Sequence, residues 1–343
     1  MNGVETITID VPGSGLPEVP SSTGPEATDR GRFREEGYLV LKNLLDPSAD
    51  LDPLASAYSD LIDQLARQIC GPDLERVILN YKRLDFPSRF AGLAGITRGS
   101  VFNHLSPALN IYERGYRCWR NSPSAQLPEF FNLLTNPGLL DVVETLIGPE
   151  IWSAPGNHLN IKLASRHREI REQSGQLARR SDVFRKPVLE PVQFIREFQL
   201  GQTPWHMDAF PGLGAPGTHN YIVVWVPMTV SNLENGTLRV LPRSHGDGYG
   251  PFPQEREHEA VTIDARPGDV VIMDGQTFHA SVENSSDDRF RWSFNMRYMP
   301  PGGPYGRRFL PGFVARSREN PDSVLSDAEL WSRSWAAALD YID

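Results

Sequence analysis

The second half of the chain is a succession of short apolar segments separated by turn residues, and this pattern limits the fold more than any other feature. The segments lie between Ile151 and Met299, and turn signals such as Glu234-Asn235-Gly236 and Pro267-Gly268-Asp269 separate them. Closely spaced short strands predict an antiparallel sandwich or barrel rather than alternating βαβ units. The 29 glycines and 29 prolines of the chain also indicate many turns. The segments predicted as strands cover residues 158–164, 192–200, 221–230, 238–242, 260–265, 269–274, 278–282 and 289–299.

Helices are predicted on both sides of this strand region. Asp46-Pro47 favours a helix start, and apolar residues then recur every three or four positions up to Cys70, as in an amphipathic helix. A second helical stretch covers residues 128–147 and is interrupted at Asn136-Pro137-Gly138. A last helix over residues 326–342 begins with the capping box Ser326-Asp327-Ala328-Glu329. Its apolar face, with Trp331 and Trp335, is expected to dock on the body of the protein; a dimer contact is the alternative.

The predicted organisation is a single domain preceded by an arm. Residues 1–28 mix proline, glycine, serine and acidic residues without a hydrophobic period, which predicts a disordered or loosely draped segment. Regular structure is expected to begin near Phe33. Residues 29–343 then form one domain, with N-terminal helices over 47–148, a barrel over about 151–300 and the C-terminal helix.

Charge and cysteine content restrict the partners and the compartment. The chain has 43 acidic and 34 basic residues, a net charge of −9, which argues against a nucleic-acid partner. Two cysteines, Cys70 and Cys118, are too few for a disulfide framework or a thiolate zinc site and favour a reducing, cytoplasmic setting. We find no leader pattern and no apolar run of about 18 residues, so no membrane association is expected. We expect a monomer or a homodimer that acts on a small molecule.

The most specific local motif is Trp205-His206-Met207-Asp208. Residues two apart on a strand point to the same face, so His206 and Asp208 can approach one ion together. His279, which leaves a later strand segment, completes a set of two imidazoles and one carboxylate. Such a facial triad holds Fe(II) and leaves positions open for other ligands.

The other histidines are weaker candidates. Those without an acidic partner two residues away are expected to be surface or hydrogen-bonded residues, namely His104, His158, His167 and His258. His219 lies on the turn before a strand and is a possible substrate contact. His245 is expected to have a structural hydrogen-bonding role.

The order of the segments around the triad resembles the phytanoyl-CoA dioxygenase family of Fe(II)/2-oxoglutarate-dependent oxygenases. The matching segments, between about residues 33 and 300, are EEGYLVLKNLLDP, PWHMD, WVPMTVSNLENGTLRVLPRSHGDG, RPGDVVIMDGQTFHASVENSS and RWSFNMRY. They occur in the order and approximate spacing of the family. The resemblance implies a mainly β fold with flanking helices, built on a double-stranded β-helix, that is, a jelly-roll, cupin-like barrel. It also implies Fe(II), 2-oxoglutarate and O2 as cofactor and cosubstrates.

The resemblance further implies that His206, Asp208 and His279 bind iron and that Arg291 holds the distal carboxylate of 2-oxoglutarate. A planar, permanently charged guanidinium suits that role because it binds a carboxylate through two parallel hydrogen bonds. Arg289 and Arg297 are alternatives for the same task.

Strand alternation supports this choice of strand. Arg291, Ser293, Asn295 and Arg297 share one face of their segment, whereas the other face is aromatic or apolar. By resemblance, Ser281 and Trp225 are expected near the cosubstrate. Weaker candidates for cosubstrate or substrate contacts are Gln193, Arg196, Gln199, Asn295, Arg297 and His219.

The expected reaction is hydroxylation of an unactivated C–H bond of a small molecule, with release of succinate and CO2. Halogenases of this broad class replace the carboxylate ligand with a small residue, so the presence of Asp208 disfavours halogenation. The same chemistry with a different outcome, namely desaturation, epimerisation or cyclisation, stays open. A jelly roll that binds a ligand without turnover is the alternative from another class. We favour a substrate from specialised, natural-product metabolism.

One segment departs from the compact family pattern. From Lys162 to Lys186 the acidic chain has eight Lys or Arg residues and three Asp or Glu residues. The segment is either a solvated helix and loop or a lid whose arginines meet an anionic substrate.

Overall fold

The structure, a computed structural model, describes residues 21–22, 27–99, 101–105, 126–180, 201–209, 221–302 and 310–342. The helices are α1 (Ala27–Glu36), α2 (Asp52–Cys70), α3 (Leu74–Val77), α4 (Phe86–Ile96), α5 (Val101–Leu105), α6 (Pro128–Leu134), α7 (Pro137–Ile147), α8 (Ser165–Arg180) and α9 (Ala328–Ile342). The strands are β1 (Ser21–Ser22), β2 (Tyr38–Leu41), β3 (Ile151–Ser153), β4 (His158–Lys162), β5 (Thr203–His206), β6 (Ile222–Pro227), β7 (Leu238–Val240), β8 (Val261–Thr262), β9 (Val270–Asp274), β10 (His279–Ser281), β11 (Arg291–Met299) and β12 (Phe313–Arg316).

The strands of the described residues form two sheets. The larger has the order β1-β2-β9-β6-β11-β3-β12, with β4 also paired to β11, and the smaller has the order β5-β10-β7-β8. All pairings are antiparallel except that of β1 with β2. Apolar side chains of both sheets, among them Val223, Trp225, Leu238 and Val240, meet in one buried cluster. The predicted double-stranded β-helix with flanking helices is confirmed.

Strand β11 divides the interior into an apolar layer and a polar layer. Trp292, Phe294 and Met296 belong to the large apolar cluster that the helices cover, and Tyr58 of α2 contacts the rings of Trp292 and Phe294 at 5.5 and 5.3 Å. The alternate residues, beginning with Arg291, face the other way, toward the smaller sheet. The alternation predicted for this segment is confirmed.

The predicted helices also form, with shifted ends. Asp46 caps the start of the first one, since its side chain accepts hydrogen bonds from the backbone N–H groups of Ser48 and Ala49. A π-helical turn over Pro47–Leu51 precedes α2, which buries most of the predicted periodic residues. The second stretch is split into α6 and α7 at the predicted break, where the side chain of Asn136 caps α7.

Other details differ from the expectations. Helix α1 begins at Ala27, so regular structure starts before Phe33. Strand β12 was not predicted; it pairs with β3 at the end of the larger sheet. At the C-terminal helix, Asp327 rather than Ser326 caps the backbone, because its carboxylate accepts from the N–H groups of Glu329 and Leu330 at 2.8 and 3.0 Å. The strand predicted over 192–200 lies outside the described residues.

The basic segment contains a packed helix. Within α8, His167 is fully buried, and the helix crosses α4 so closely that a Cβ atom at Gly95 would lie 1.9 Å from the carbonyl oxygen of Arg171. Over Ser165–Arg180 the segment is therefore a helix that packs on the body along one face and is exposed along the other. Residues 181–186 lie outside the described part of the chain.

The C-terminal helix α9 docks on the body as expected. Trp331 and Trp335 are each 1% exposed, and the ring of Trp331 lies 6.3 Å from that of Phe130 and 5.7 Å from that of Phe131. Both phenylalanines belong to α6. Among the helices that the structure describes, none combines the length and the apolar character needed to cross a membrane.

Replacing Trp331 with Ala is expected to destabilise the protein by about 3–5 kcal/mol, because it removes a large buried side chain and leaves a cavity against α6. The matched control is Leu330→Ala on the same helix, where the side chain is 48% exposed and the expected change is within about 0.5 kcal/mol. Urea unfolding followed by tryptophan fluorescence and circular dichroism measures both. Equal effects of the two substitutions would contradict the docked helix.

Candidate metal centre

Two paired strands bring the three predicted ligands together. His206 ends β5, His279 begins β10, and the two residues are direct partners in the register of these strands. Asp208 follows β5 and returns its carboxylate to the same point. The Nε2 atoms of His206 and His279 lie 3.5 and 3.9 Å from Asp208 Oδ1. One ligand atom from each residue lies within 4.8 Å of the others, so the three could hold a metal ion.

Hydrogen bonds fix the orientation of both imidazoles. His206 Nδ1 lies 2.9 Å from the carbonyl oxygen of Pro204, and His279 Nδ1 lies 3.0 Å from that of Thr277. A carbonyl oxygen only accepts, so each Nδ1 carries the proton and donates it. In the neutral form of each ring the lone pair of Nε2 is then free to bind a metal, which is the arrangement found when a second group orients a histidine ligand.

Burial and charge favour the metal-binding forms of His279 and Asp208, but not that of His206. The Nε2 atom of His279 is buried and has no hydrogen-bond partner; burial and then the neighbouring His206 lower the pKa of His279 to about 4, so this imidazole is neutral at pH 7. Burial alone would raise the pKa of Asp208, but Arg297 and the two histidines outweigh it and hold that pKa well below its usual range. Burial also opposes protonation of His206, whereas Asp208 more than compensates and raises the pKa of His206. An unsatisfied nitrogen beside an ionised carboxylate fits a divalent cation.

The inward-facing residues of β11 form a polar row from Arg291 to Arg297, and Arg297 lies at the end of this row that is beside the centre. Its Nη2 atom donates a hydrogen bond to Asp208 Oδ2 at 2.5 Å, and both side chains are buried. Its Nη1 atom donates to the carbonyl oxygen of Gly156. The alternative role as carboxylate clamp is therefore not supported for Arg297, because its guanidinium already holds a carboxylate of the protein.

Arg291 lies at the other end of the polar row and is 2% exposed. Its Nε and Nη2 atoms donate to the carbonyl oxygen of Gly236, and Nη1 donates to Ser293 Oγ at 2.7 Å. The guanidinium lies 5.8 Å from the ring centre of Trp225. Within the described residues it makes no ion pair with a carboxylate. Burial lowers the pKa of Arg291 to about 9, so the group stays charged at neutral pH.

Lys162 was not recognised from the sequence as a site residue. It lies opposite Arg291 in the pairing of β4 with β11, is 1% exposed, and donates from Nζ to the carbonyl oxygens of Val282, at 2.9 Å, and Gly201. Burial and then the charge of Arg291 lower the pKa of Lys162 to about 6. Two buried basic groups thus face one point of the interior. The sequence feature that could have indicated this site residue is the lysine among the alternating polar positions of HLNIKLA.

The middle of the inner face is neutral and polar. Asn295 of β11 is partnered in register by His158 of β4 and Trp225 of β6, and Asn160 donates from Nδ2 to Asn295 Oδ1 at 3.3 Å. His158, Asn160 and Asn295 are half-buried, although most of their strand neighbours are fully buried. His158 lies on this inner face from a strand, a context that the prediction of a surface or hydrogen-bonded histidine did not include.

The remaining predicted residues divide into four groups. Ser281 is buried beside the centre, and its Oγ atom accepts a hydrogen bond from the N–H of Thr203 at 3.2 Å. Arg289 is largely exposed and pairs with Glu234, so it is not a clamp. His245 is buried and bonds through Nε2 to the carbonyl oxygen of Arg34, in agreement with its structural role. Four candidates lie outside the described residues, namely Gln193, Arg196, Gln199 and His219.

Comparison with known proteins supports the family resemblance. Residues 153–292, which include the three candidate ligands and Arg291, match the family model described as Phytanoyl-CoA dioxygenase (PhyH). "Dioxygenase peniF" of Penicillium patulum is 32% identical over 90 residues, 25% of this chain and 29% of that protein's length. "Phytanoyl-CoA dioxygenase domain-containing protein 1" of Danio rerio is 22% identical over 297 residues, 76% of this chain and 85% of that protein.

A solved structure shares the fold. The chain described as "non-heme monooxygenase; ThoJ apo" superposes with a TM-score of 0.54 at 18% identity, over 91% of this chain and 95% of that one. The family-model match over residues 153–292 confirms the predicted resemblance to the phytanoyl-CoA dioxygenase family, and the solved structure shows the same fold.

A divalent metal such as Co(II) is expected to raise the unfolding temperature of the chelator-treated protein. The gain corresponds to about 2.7 kcal/mol at a concentration one hundred times the dissociation constant. His279→Ala removes one ligand and is expected to abolish the shift. His258→Ala, at an exposed histidine, is the matched control and is expected to keep it. A shift that persists in His279→Ala would show that the metal binds elsewhere.

Proposed function

We propose that this phytanoyl-CoA dioxygenase domain is an Fe(II)/2-oxoglutarate-dependent oxygenase that hydroxylates a C–H bond of a small molecule. Succinate and CO2 are the coproducts. The observation that carries the proposal is the convergence of His206 Nε2, His279 Nε2 and Asp208 Oδ1 on one point, on the same inner surface as a buried arginine without a carboxylate partner among the described residues.

In this proposal His206, Asp208 and His279 hold the iron. Bound iron, together with 2-oxoglutarate and O2, supplies the oxidising power that removes hydrogen from an unactivated carbon. The protein contributes position: Pro204 and Thr277 orient the imidazoles through their carbonyl oxygens. The carboxylate of Asp208 would occupy the metal coordination position that a halide needs. Hydroxylation is therefore favoured over halogenation.

Arg291 is proposed to bind the distal carboxylate of 2-oxoglutarate. Its guanidinium is charged, buried, and held in place by Gly236, Ser293 and the face of Trp225. A buried cation without an acidic partner gains most from an incoming anion, because water does not solvate it. Lys162, which is adjacent, is proposed to contribute a second positive charge when the cosubstrate is bound.

The substrate is proposed to lie against the half-buried row of His158, Asn160 and Asn295. These side chains carry both donors and acceptors but no permanent charge, so the row suits hydroxyl and carbonyl groups better than a bare hydrocarbon chain. This chemistry is consistent with an oxygenated small molecule of specialised metabolism. Product analysis by mass spectrometry distinguishes hydroxylation, a gain of one oxygen atom, from desaturation, cyclisation or epimerisation.

Arg291→Met is expected to raise the KM for 2-oxoglutarate by about 30-fold or more, since truncating one member of a buried charge pair costs about 2–5 kcal/mol. The variant is expected to discriminate far less between 2-oxoglutarate and 2-oxopentanoate, which lacks the distal carboxylate. Arg289→Met, at the exposed arginine, is the control and should behave as the wild type. Succinate formation, or consumption of the 2-oxo acid, measures each case. An unchanged preference for the dicarboxylate in Arg291→Met would remove Arg291 from the role of clamp.

Binding of 2-oxoglutarate is expected to be linked to the protonation of Lys162. With a pKa of about 6 this amine is mostly neutral at pH 7.5 in the free protein, and a nearby carboxylate raises its pKa. Binding should therefore take up a proton at pH 7.5, and the uptake should disappear at a pH well below 6, where the amine is already charged. Anaerobic calorimetry of the metal-loaded protein in buffers of different ionisation enthalpy counts the protons. Lys162→Met, the control, should show no uptake; equal uptake in both proteins would contradict this assignment.

A further inference from the structure

We propose that Arg297 is a positioning residue that makes Asp208 bind the metal through one oxygen, Oδ1, by holding the other oxygen, Oδ2, on the protein. This inference rests on the proposed function, because it concerns the metal that the triad would hold. It assigns to Arg297 a task different from binding cosubstrate or substrate.

The two oxygens of Asp208 have different surroundings. Oδ1 faces the Nε2 atoms of His206 and His279 at 3.5 and 3.9 Å. Oδ2 accepts a hydrogen bond from Arg297 Nη2 at 2.5 Å. The carboxylate is therefore oriented with one oxygen toward the metal-binding point and one away from it.

Arg297 is itself fixed at two places. Its Nη1 atom donates to the carbonyl oxygen of Gly156, and its own carbonyl oxygen accepts from the N–H of Ala154 at 2.9 Å. Its side chain is 8% exposed and that of Asp208 is 7% exposed, so water competes little for the contact. A planar guanidinium can serve Asp208 and Gly156 together because its N–H groups point in fixed directions. A lysine ammonium offers the charge but not this fork.

The contact between Arg297 and Asp208 matters because a metal ion has a limited number of coordination positions. On a six-coordinate metal, two imidazoles and a carboxylate bound through one oxygen would occupy three positions and leave three open. A 2-oxo acid that chelates through two oxygens and one O2 molecule require all three. A carboxylate bound through both oxygens would occupy one of them, so holding Oδ2 keeps that position open.

Anaerobic Co(II) titration of the chelator-treated protein tests this inference. The variants are Arg297→Gln, which removes the charge and the fork, and Arg297→Lys, which keeps only the charge. Arg289→Gln, at the exposed arginine that pairs with Glu234, is the matched control. Two properties are measured for each protein: the Co(II) dissociation constant and the visible d–d absorption spectrum, with and without 2-oxoglutarate. Circular dichroism of the metal-free proteins checks that each variant is folded.

The expected result is a weaker site with a different geometry. Arg297→Gln should bind Co(II) about 10–100-fold more weakly, as is usual when a group that orients a metal ligand is lost, and its spectrum should change because Oδ2 is free to bind. Arg297→Lys should recover only part of the affinity and should keep an altered spectrum. Arg289→Gln should match the wild type in both properties.

Three other results would overturn the inference in different ways. If Arg297→Gln keeps the affinity and spectrum of the wild type, Arg297 does not orient the carboxylate, although the metal site stands. If Arg297→Lys restores both properties fully, the charge suffices and the fork has no role. If the wild type binds no Co(II), the proposed function fails together with the inference. Should Arg297→Gln not fold, Arg297→Lys tests the inference alone: a weaker site with an altered spectrum supports it, and the affinity and spectrum of the wild type overturn it.

Discussion

The two-residue alternation of strand β11 is the constraint on which the rest of the structure depends. One face of this strand supplies Trp292, Phe294 and Met296 to the core beneath the helices, while the other supplies Arg291 and Arg297 to the interior of the two sheets. A slip of one residue would bury guanidinium groups in an apolar layer and turn aromatic rings toward the metal centre. Burying an unpaired charge in an apolar layer is costly, whereas burying aromatic area is favourable. Both effects therefore favour the same register.

This alternation also explains how far the sequence alone could be interpreted. Local periodicity predicts α2 and the two faces of β11, because the partners of an amphipathic segment need not be known for its faces to be recognised. The motif at Trp205 to Asp208 could likewise be identified, since His206 and Asp208 lie two residues apart at the end of one strand. The family resemblance then selected His279 among the eight histidines.

Long-range pairing accounts for what the sequence did not reveal. Lys162 becomes a neighbour of Arg291 only through the pairing of β4 with β11, across more than a hundred residues. Arg297 shares a face with Arg291, so alternation could not tell that it contacts Asp208 instead of a cosubstrate. The segment after Lys162 was notable for its charge, but the feature that decides its structure is Gly95 on α4, where the absence of a side chain lets α8 approach. Such contacts depend on which helices and strands pack together, and no local sequence pattern contains that information.

The bonds from each histidine Nδ1 atom to the carbonyl oxygen two residues earlier have a further consequence. Each ring takes its orientation from its own short stretch of backbone, so no distant element is needed to set the angle of the ligand. The orientation of both candidate ligands is therefore set within two three-residue stretches of backbone, Pro204–His206 and Thr277–His279.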